Sequence, residues 1–306
     1  MRTAKYILFA LCTLLASSAW GQKGSFIEFS AGGGWSTYSY SLANAPGTLQ
    51  TSQSGSYGLT FHAGYGYMFN DLVGLGIGLD ASRYGSSAKL SGVMQWKGVT
   101  DTDGEKYNHI ARIDAWQDKQ SVFYLEIPLT LYFAVPTQSI VRFSAELGVK
   151  FGLPISQKAT FAADVTHSGE YPQWLLTLTD VPDHGFTTTH LEGSSKLNAK
   201  SQLSAFAKLG VIVPITDQLD FFTHVYFNCG MLKNSIGEHE NTQPFGLRED
   251  TEQAKETYYF MAPAVSVLQT AYPKGTFLPL SAGLEIGIRL HFRSAGHNYP
   301  CKCVRN

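Results

Sequence analysis

The sequence is poor in charge and has no long apolar run after its first 21 residues. Asp, Glu, Lys and Arg make up 15% of the 306 residues, against roughly 25% in an average soluble domain. This excludes a disordered polyelectrolyte and a coiled coil, which need far more charge. The net charge is −1 and Lys and Arg form no block, so we expect no nucleic-acid partner.

The first residues have the three parts of a secretory signal. Arg2 and Lys5 form a short basic end, and an uncharged run of 15 residues, Tyr6–Trp20, follows. Ala19 and Gly21 supply the small residues that precede a cleavage site. We predict a signal peptide over residues 1–21. A retained anchor helix is the alternative, although the run is shorter than the roughly 20 residues that a membrane helix needs.

The mature chain is rich in aromatic residues and glycine, and its apolar residues recur with a period of two. In residues 72–82, for example, Val73, Leu75 and Ile77 alternate with Gly74 and Gly76. Alternate residues of a strand face opposite sides, so this pattern predicts one apolar and one polar or small face. The same pattern predicts seven further strands at residues 25–35, 59–69, 123–133, 141–153, 203–213, 219–231 and 280–292.

The connections between these strands alternate between short and long. Turns at residues 70–71, 136–138 and 216–218 alternate with long loops at 37–54, 83–117, 156–198 and 232–277. This spacing predicts an all-β fold, an eight-stranded antiparallel up-and-down transmembrane β-barrel over residues 22–293. The alternative is a ten-stranded barrel, in which residues 173–178 and 258–268 also span the membrane.

The polar faces carry most of the strand charges and many glycines. Glycine is a poor choice for a sheet surface in water, but inside a narrow barrel it leaves room for long side chains. Aromatic residues near strand ends, such as Tyr67, Phe69 and Tyr132, are typical of interface girdles. We therefore predict apolar faces toward lipid and an ion-pair network in the lumen, formed by Glu28, Asp80, Glu126, Arg142, Glu146, Lys150, Lys208, Asp220, Glu285 and Arg289.

Three further segments stand out, at Tyr124–Leu129, at Ala63–Tyr67 and at the closing Gly287–Phe292. They resemble outer-membrane β-barrel domains common in Bacteroidota, and the architecture is similar to the OmpA-type transmembrane domain. The resemblance implies an outer-membrane location with both chain ends in the periplasm, contact with membrane lipid, and assembly by the barrel-assembly machinery. Residues 294–306 would then form a short periplasmic tail, too short for a peptidoglycan-binding domain.

Catalytic and metal-binding alternatives have weak support in the sequence. His62, His224 and Asp220 share the predicted lumen with serines, which is the composition of a hydrolase triad without its nucleophile motif. Acidic residues at 101–105 and 238–240 do not match a calcium loop, and the first group favours a hairpin turn. Cys301 and Cys303 form a candidate thiol site in the tail. We predict no metal and no cofactor.

The long loops carry aromatic residues suited to recognition of a partner. These residues are Trp96, Trp116, Tyr171, Trp174, Tyr258 and Tyr259. The strands that flank the second and third long loops can also extend beyond the membrane as hairpins. We therefore predict a non-enzymatic outer-membrane protein with a structural or surface-interaction role and a possible extracellular ligand at these loops. An ion or small-solute channel is the second hypothesis, and a membrane-embedded lipid or peptide hydrolase is the third. The interior of an eight-stranded barrel is just filled by side chains, which argues against a pore.

Overall fold

The computed structural model describes residues 24–45, 48–101, 104–135, 141–232, 246–249, 258–261, 266–269 and 273–292. The predicted signal peptide and the predicted tail, with Cys301 and Cys303, lie outside these residues. The strands are β1 (Ser25–Ser41), β2 (Leu49–Met68), β3 (Val73–Thr100), β4 (Lys106–Val135), β5 (Arg142–Tyr171), β6 (Leu176–Thr179), β7 (Thr188–Ser195), β8 (Gln202–Pro214), β9 (Leu219–Gly230), β10 (Gly246–Glu249), β11 (Tyr258–Met261) and β12 (Lys274–His291).

Three short 3₁₀ turns accompany the strands, at Pro172–Trp174, Pro182–His184 and Val267–Gln269. In the part of the chain that the structure describes, no helix is long and apolar enough to cross a membrane.

Eight strands close into an antiparallel ring. Its order is β1, β2, β3, β4, β5, β8, β9 and β12, and β12 pairs again with β1. The predicted eight-stranded up-and-down barrel is confirmed. Strands β6 and β7 pair only with residues 159–171 of β5, and β10 pairs with β11 in a separate sheet. The ten-stranded alternative is therefore wrong, because residues 173–178 and 258–261 add no strand to the ring.

A belt of exposed apolar side chains surrounds the ring near the end that carries the short turns. Every ring strand contributes to it, and its side chains are 38–64% exposed. Members of this apolar belt are Phe29, Phe61, Leu75, Ile77, Leu129, Leu131, Phe143, Leu147, Val149, Leu209, Val225, Phe227, Leu284 and Ile286. Trp35 and Tyr57, 50% and 60% exposed, lie at its upper border. Tyr132, expected in a girdle, instead faces the lumen and is 3% exposed.

Strands β3, β4 and β5 continue far beyond the apolar belt, and there their two faces exchange polarity. On β3 the outward residues change from Leu75 and Ile77 to the exposed Lys89, while the inward residues change from Gly76 to the buried Leu90. The alternation of faces is unbroken over this span, so the sequence alone reverses which face is apolar. Water rather than an apolar medium therefore suits the outer surface of this part, which we call the outer extension.

The outer extension has its own apolar core. Tyr84, Trp116 and Phe161 are among its buried residues, and the rings of Trp116 and Phe161 stack with centroids 5.0 Å apart. Val267 and Leu268, from the loop before β12, fill the same core. The segments predicted as long loops at 83–117 and 156–198 are thus mainly strands, in line with the expectation that their flanking strands extend as hairpins. Trp116 and Tyr171, predicted to offer recognition surfaces, are each 1% exposed.

Inward-facing glycines make room for large side chains in the ring. A Cβ atom on Gly76 would lie 2.5 Å from Cε2 of Tyr132, and one on Gly66 would collide with the ring of Phe26. Phe26 has no space to retreat, because its ring packs against Tyr132 at 5.2 Å and against the Arg289 guanidinium at 4.1 Å. The glycines therefore allow bulky residues from opposite walls to share a narrow lumen.

We expect Gly66→Val to lower the free energy of unfolding by about 1–3 kcal/mol, the usual cost of overpacking a filled interior. Gly33→Val is the matched control, because a Cβ atom there lies at an ordinary 3.6 Å from Leu59 on the outer face. The measurement is denaturant unfolding of both variants in lipid vesicles. An equal loss in both variants would show that strand propensity, and not lumen space, requires the glycine.

Candidate functional site

The ten charged residues that the sequence assigned to the lumen lie on the inner face of the ring. Nine of them are at most 5% exposed. The tenth, Arg142, lies at the short-turn end and its side chain is 39% exposed. The alternation of each strand places these charges on the inner face, because each charged residue is separated by an even number of positions from the other inward residues near it on its strand.

One branch of the ion pairs runs through His62. Its Nδ1 atom bonds to Asp80, and its Nε2 atom lies 3.2 Å from Oε1 of Glu28. Lys150 Nζ lies 2.5 Å from Oδ2 of Asp80 and 3.9 Å from Oε2 of Glu126. Glu126 also accepts hydrogen bonds from the Ser82 hydroxyl, the Tyr84 hydroxyl and the Gln202 amide. The carboxylates of this branch are thus paired and hydrogen-bonded, as buried charges require.

A second branch runs through Arg289 and Lys208. Arg289 Nη2 lies 2.8 Å from Oε2 of Glu28 and 3.4 Å from Oε1 of Glu146. Lys208 Nζ lies 3.5 Å from Oε2 of Glu146 and 2.8 Å from Oε1 of Glu285. Glu28 joins the two branches. Eight of the ten predicted residues, together with His62, therefore form one continuous set of ion pairs, which we call the lumen network.

Arg142 and Asp220 form a smaller group at the short-turn end. Arg142 Nη2 lies 2.9 Å from Oδ2 of Asp220, and Nε2 of His291 lies 2.8 Å from the same oxygen. Because the Arg142 and His291 side chains are 39% and 30% exposed, water screens this group more than the lumen network.

His62 is the member of the lumen network that sequence reasoning missed, since it was weighed only as a catalytic group. The network holds five carboxylates against Arg289, Lys150 and Lys208. Both ring nitrogens of His62 face carboxylates, so the imidazolium form donates to both and adds a fourth positive charge. Its place opposite Asp80 in the β2–β3 register was the signal that could have found it.

Aromatic rings fill the space between the charges. The Phe206 ring lies between Lys150 Nζ at 5.0 Å and Lys208 Nζ at 5.8 Å. The Arg289 guanidinium lies 4.1 Å from the Phe26 ring and 5.1 Å from the Tyr132 ring. These are cation–π distances. The cross-section of the ring is therefore occupied by paired charges and aromatic side chains rather than by a wide channel.

The geometry does not support the hydrolase hypothesis. Asp220 contacts Arg142 and His291 instead of His224. His224 Nε2 does lie 2.8 Å from the Ser144 hydroxyl oxygen, but its Nδ1 atom is 3.9 Å from Glu146 and has no hydrogen-bond partner among the described residues. A triad needs that second bond to orient the imidazole. His224 is also only 1% exposed, so a substrate has no access to it.

The other candidate sites can be placed in part. Among the described residues, no group of three or more His, Cys, Asp or Glu could hold a metal ion. In the acidic segment at 101–105, of which residues 102–103 lie outside the described residues, the Glu105 backbone N–H donates to Oδ1 of Asp101 at 2.8 Å. Cys229 is a free thiol on the outer face of β9. The acidic group at 238–240 lies outside the described residues.

The outer extension contains a buried acid that the sequence did not single out. Asp118 is fully buried and accepts hydrogen bonds from the Ser266 hydroxyl at 2.7 Å and the Val267 backbone N–H at 2.5 Å. Burial raises the pKa of Asp118 to about 6, although these hydrogen bonds oppose the shift. Asp118 thus attaches the segment Ser266–Leu268 to the core of the outer extension.

Two buried histidines face each other near the distal end of the outer extension. His109 Nε2 lies 3.1 Å from Nδ1 of His167 on the adjacent strand. Burial lowers the pKa of both imidazoles, that of His109 to about 4. The pair is therefore uncharged at neutral pH and packs beside Tyr107 and Phe186, which belong to a second, smaller apolar cluster.

We expect Lys150→Met to destabilise the protein by about 3–5 kcal/mol, because Glu126 loses its cation in a buried site and Asp80 keeps only His62. Arg142→Met, at the partly exposed end, is the matched control and should cost about 1 kcal/mol or less. Denaturant unfolding in lipid vesicles measures both. A loss in Lys150→Met no larger than in the control would contradict the importance of the lumen network for stability.

The raised pKa of Asp118 predicts a pH-dependent attachment of Ser266–Leu268. The folded state holds the proton more tightly than the unfolded state, so stability increases as the pH falls through about 6 and decreases as it rises. The protection factors of the Val267 and Leu268 amides, which correct for the pH dependence of intrinsic exchange, should increase on acidification from pH about 7 to about 5. Asp118→Asn should remove this dependence, whereas Asp114→Asn, at an exposed position, should preserve it. The same pH profile in all three proteins would disprove the role of Asp118.

No protein-family model matches the sequence, and no curated protein matches it. Solved structures give remote similarity. The Neisserial surface protein A (NspA) has 13% identity and a TM-score of 0.36, covering 88% of this chain and 98% of its own. The outer membrane protein OprG from Pseudomonas aeruginosa has 13% identity and a TM-score of 0.35, covering 90% and 99%. The translocator domain of autotransporter NalP from Neisseria meningitidis has 10% identity and a TM-score of 0.22, covering 95% and 98%.

Proposed function

We propose that the protein is a non-catalytic β-barrel of a bacterial outer membrane, with a structural role and a surface-interaction role. The carrying observation is the apolar belt, whose residues alternate on the same strands with the buried charges of the lumen network. In water this arrangement would expose a wide apolar surface at great cost. In a lipid bilayer the apolar face meets hydrocarbon and the polar face is enclosed.

The dimensions of the ring support this proposal. Strand β9 has 12 residues and β8 has 13. At about 3.3 Å per residue and a tilt of about 40°, such strands span roughly 30 Å, close to the thickness of a hydrocarbon core. Both ends of the closed ring, Ser25 and His291, lie at the short-turn end, which supports periplasmic chain ends. The sequence segments at 63–67, 124–129 and 287–292 support an OmpA-type barrel of Bacteroidota.

The outer extension supports the surface-interaction role. Strands β4 and β5 each have 30 residues, so their parts beyond the apolar belt measure roughly 50–60 Å along the strand. At the distal end, Trp174, Leu175 and Leu176 are 53%, 96% and 43% exposed. Leu175 has φ 50°, a conformation that costs a non-glycine residue free energy. A rigid extension that presents exposed apolar side chains is suited to contact with an external partner.

The remaining proposed partners are the barrel-assembly machinery and the lipid of the outer membrane. The closing strand β12 ends in Gly287–His291, with inward Arg289 between outward Ile288 and Leu290, and Phe292 follows it. This alternation supports recognition by the barrel-assembly machinery, and the apolar belt supports contact with outer-membrane lipid.

Single-channel recording in planar bilayers tests the function directly. We expect the refolded protein to insert and to show no stable conductance steps, because the lumen network and its aromatic rings fill the ring. Conductance steps in the native protein would favour the channel hypothesis instead. Failure to insert into any bilayer, with a soluble folded state, would disprove the membrane assignment altogether.

We expect Leu209→Arg to destabilise the protein in lipid vesicles by about 2–4 kcal/mol, the cost of a cation near the middle of the bilayer. Leu209 belongs to the apolar belt and is 64% exposed. Thr160→Arg is the control, because Thr160 is an exposed outward residue of β5 beyond the belt, and should change stability by about 0.5 kcal/mol or less. Equal effects of the two substitutions in denaturant unfolding would rule out a lipid-facing belt.

A further inference from the structure

Three exposed lysines lie on the outer face of β3, β4 and β5 beyond the apolar belt. They are Lys89, Lys119 and Lys158. Within the described parts of the chain, none of the three forms an ion pair, whereas Arg112 and His190 on the same surface pair with acids. Three unneutralised cations on one small surface attract anions.

The strand register makes these lysines neighbours. Lys119 pairs with Ser87 on one side and with Thr160 on the other. Lys89 and Lys158 are each two residues from those partners, so both are diagonal neighbours of Lys119, roughly 7–8 Å away. The residues directly opposite Lys89 and Lys158 on β4, Gln117 and Ser121, are uncharged. The three lysines form one diagonal row, which we call the lysine row.

A groove opens beside the centre of the lysine row. Its volume is about 450 Å³, large enough for a sugar, and Lys119 forms part of its wall. The other polar side chains of the wall are Gln117, Thr160, Glu192 and Ser194. Amide, hydroxyl and carboxylate groups in this number suit the hydroxyl groups of a sugar ring. Among the described residues of the wall, Glu192 is the one acid, and it can accept from a sugar hydroxyl while the lysines bind an anion.

The position of the lysine row relative to the apolar belt indicates which anion it binds. On β5 the outward residues Leu153 and Ile155, 50% and 61% exposed, are followed within three positions by Lys158. In the bilayer of the proposed function, the lysine row therefore begins at the level of the lipid headgroups of the outer leaflet. Basic residues at this level bind anionic headgroups.

We infer that the lysine row and its groove bind the phosphorylated sugar headgroup of an outer-leaflet glycolipid. This inference rests on the proposed outer-membrane location. The phosphate groups lie against Lys89, Lys119 and Lys158, and the sugar ring lies in the groove beside Thr160 and Glu192. The glycolipid then holds the base of the outer extension against the membrane surface.

The test measures binding of diphosphorylated lipid A to the refolded full chain in zwitterionic detergent micelles. The test variant carries Lys89→Gln, Lys119→Gln and Lys158→Gln. The control carries Lys97→Gln, Lys106→Gln and Lys274→Gln, which remove the same charge from exposed lysines elsewhere. Each lysine at an anionic headgroup contributes roughly a factor of five, so we expect about a hundredfold weaker binding by the test variant. The control should bind within about twofold of the native chain.

Further probes identify the source of the phosphate. Dephosphorylated lipid A should bind weakly to all three proteins, and inorganic phosphate should not compete at equal concentration. Equal losses in both triple variants would overturn the inference, because they would show an effect of net charge alone. Preferential binding of inorganic phosphate would overturn it as well. Insertion of each variant into vesicles is measured separately, from the gel mobility of the unheated sample. If the native chain itself did not insert, the proposed function would be refuted rather than this inference.

Discussion

The closure of a single antiparallel ring is the constraint on which the other features depend. Closure pairs both edges of all eight ring strands, so their backbone groups need no water at the level of the apolar belt. It also makes alternate side chains point into a narrow lumen. Large inward side chains must therefore find space, and charged inward side chains must be paired. The inward glycines provide the space, and the lumen network provides the pairing.

The lumen network replaces the apolar core that a soluble barrel of this size would have. Arg289, Lys150 and Lys208 each contact at least two carboxylates, so loss of one cation removes an ion pair from two buried carboxylates at once. Such an arrangement is stable only when complete. His224 and Ser144, although in contact, are enclosed side chains rather than a hydrolase site.

In the outer extension the same strands enclose an apolar core instead of a polar lumen. Beyond the apolar belt, β3, β4 and β5 enclose an apolar core around Trp116 and Phe161, and Asp118 attaches a loop segment to it. Its outward face carries the lysine row near the membrane and exposed apolar residues at its distal end. The barrel thereby supports an outer surface that is basic near the membrane and apolar at its distal end.

The period of two in the sequence determined the strand number, the alternation of faces and which charges face the lumen, because these follow from strand geometry alone. It could not show which charges touch, since pairing such as Glu28 with Arg289 depends on the register and closure of β1 against β12. It indicated that the strands flanking the loops at 83–117 and 156–198 extend as hairpins, but not what their inward faces pack against. That packing, of Trp116 and Phe161 with Leu268 from a distant part of the chain, is decided only by the tertiary structure.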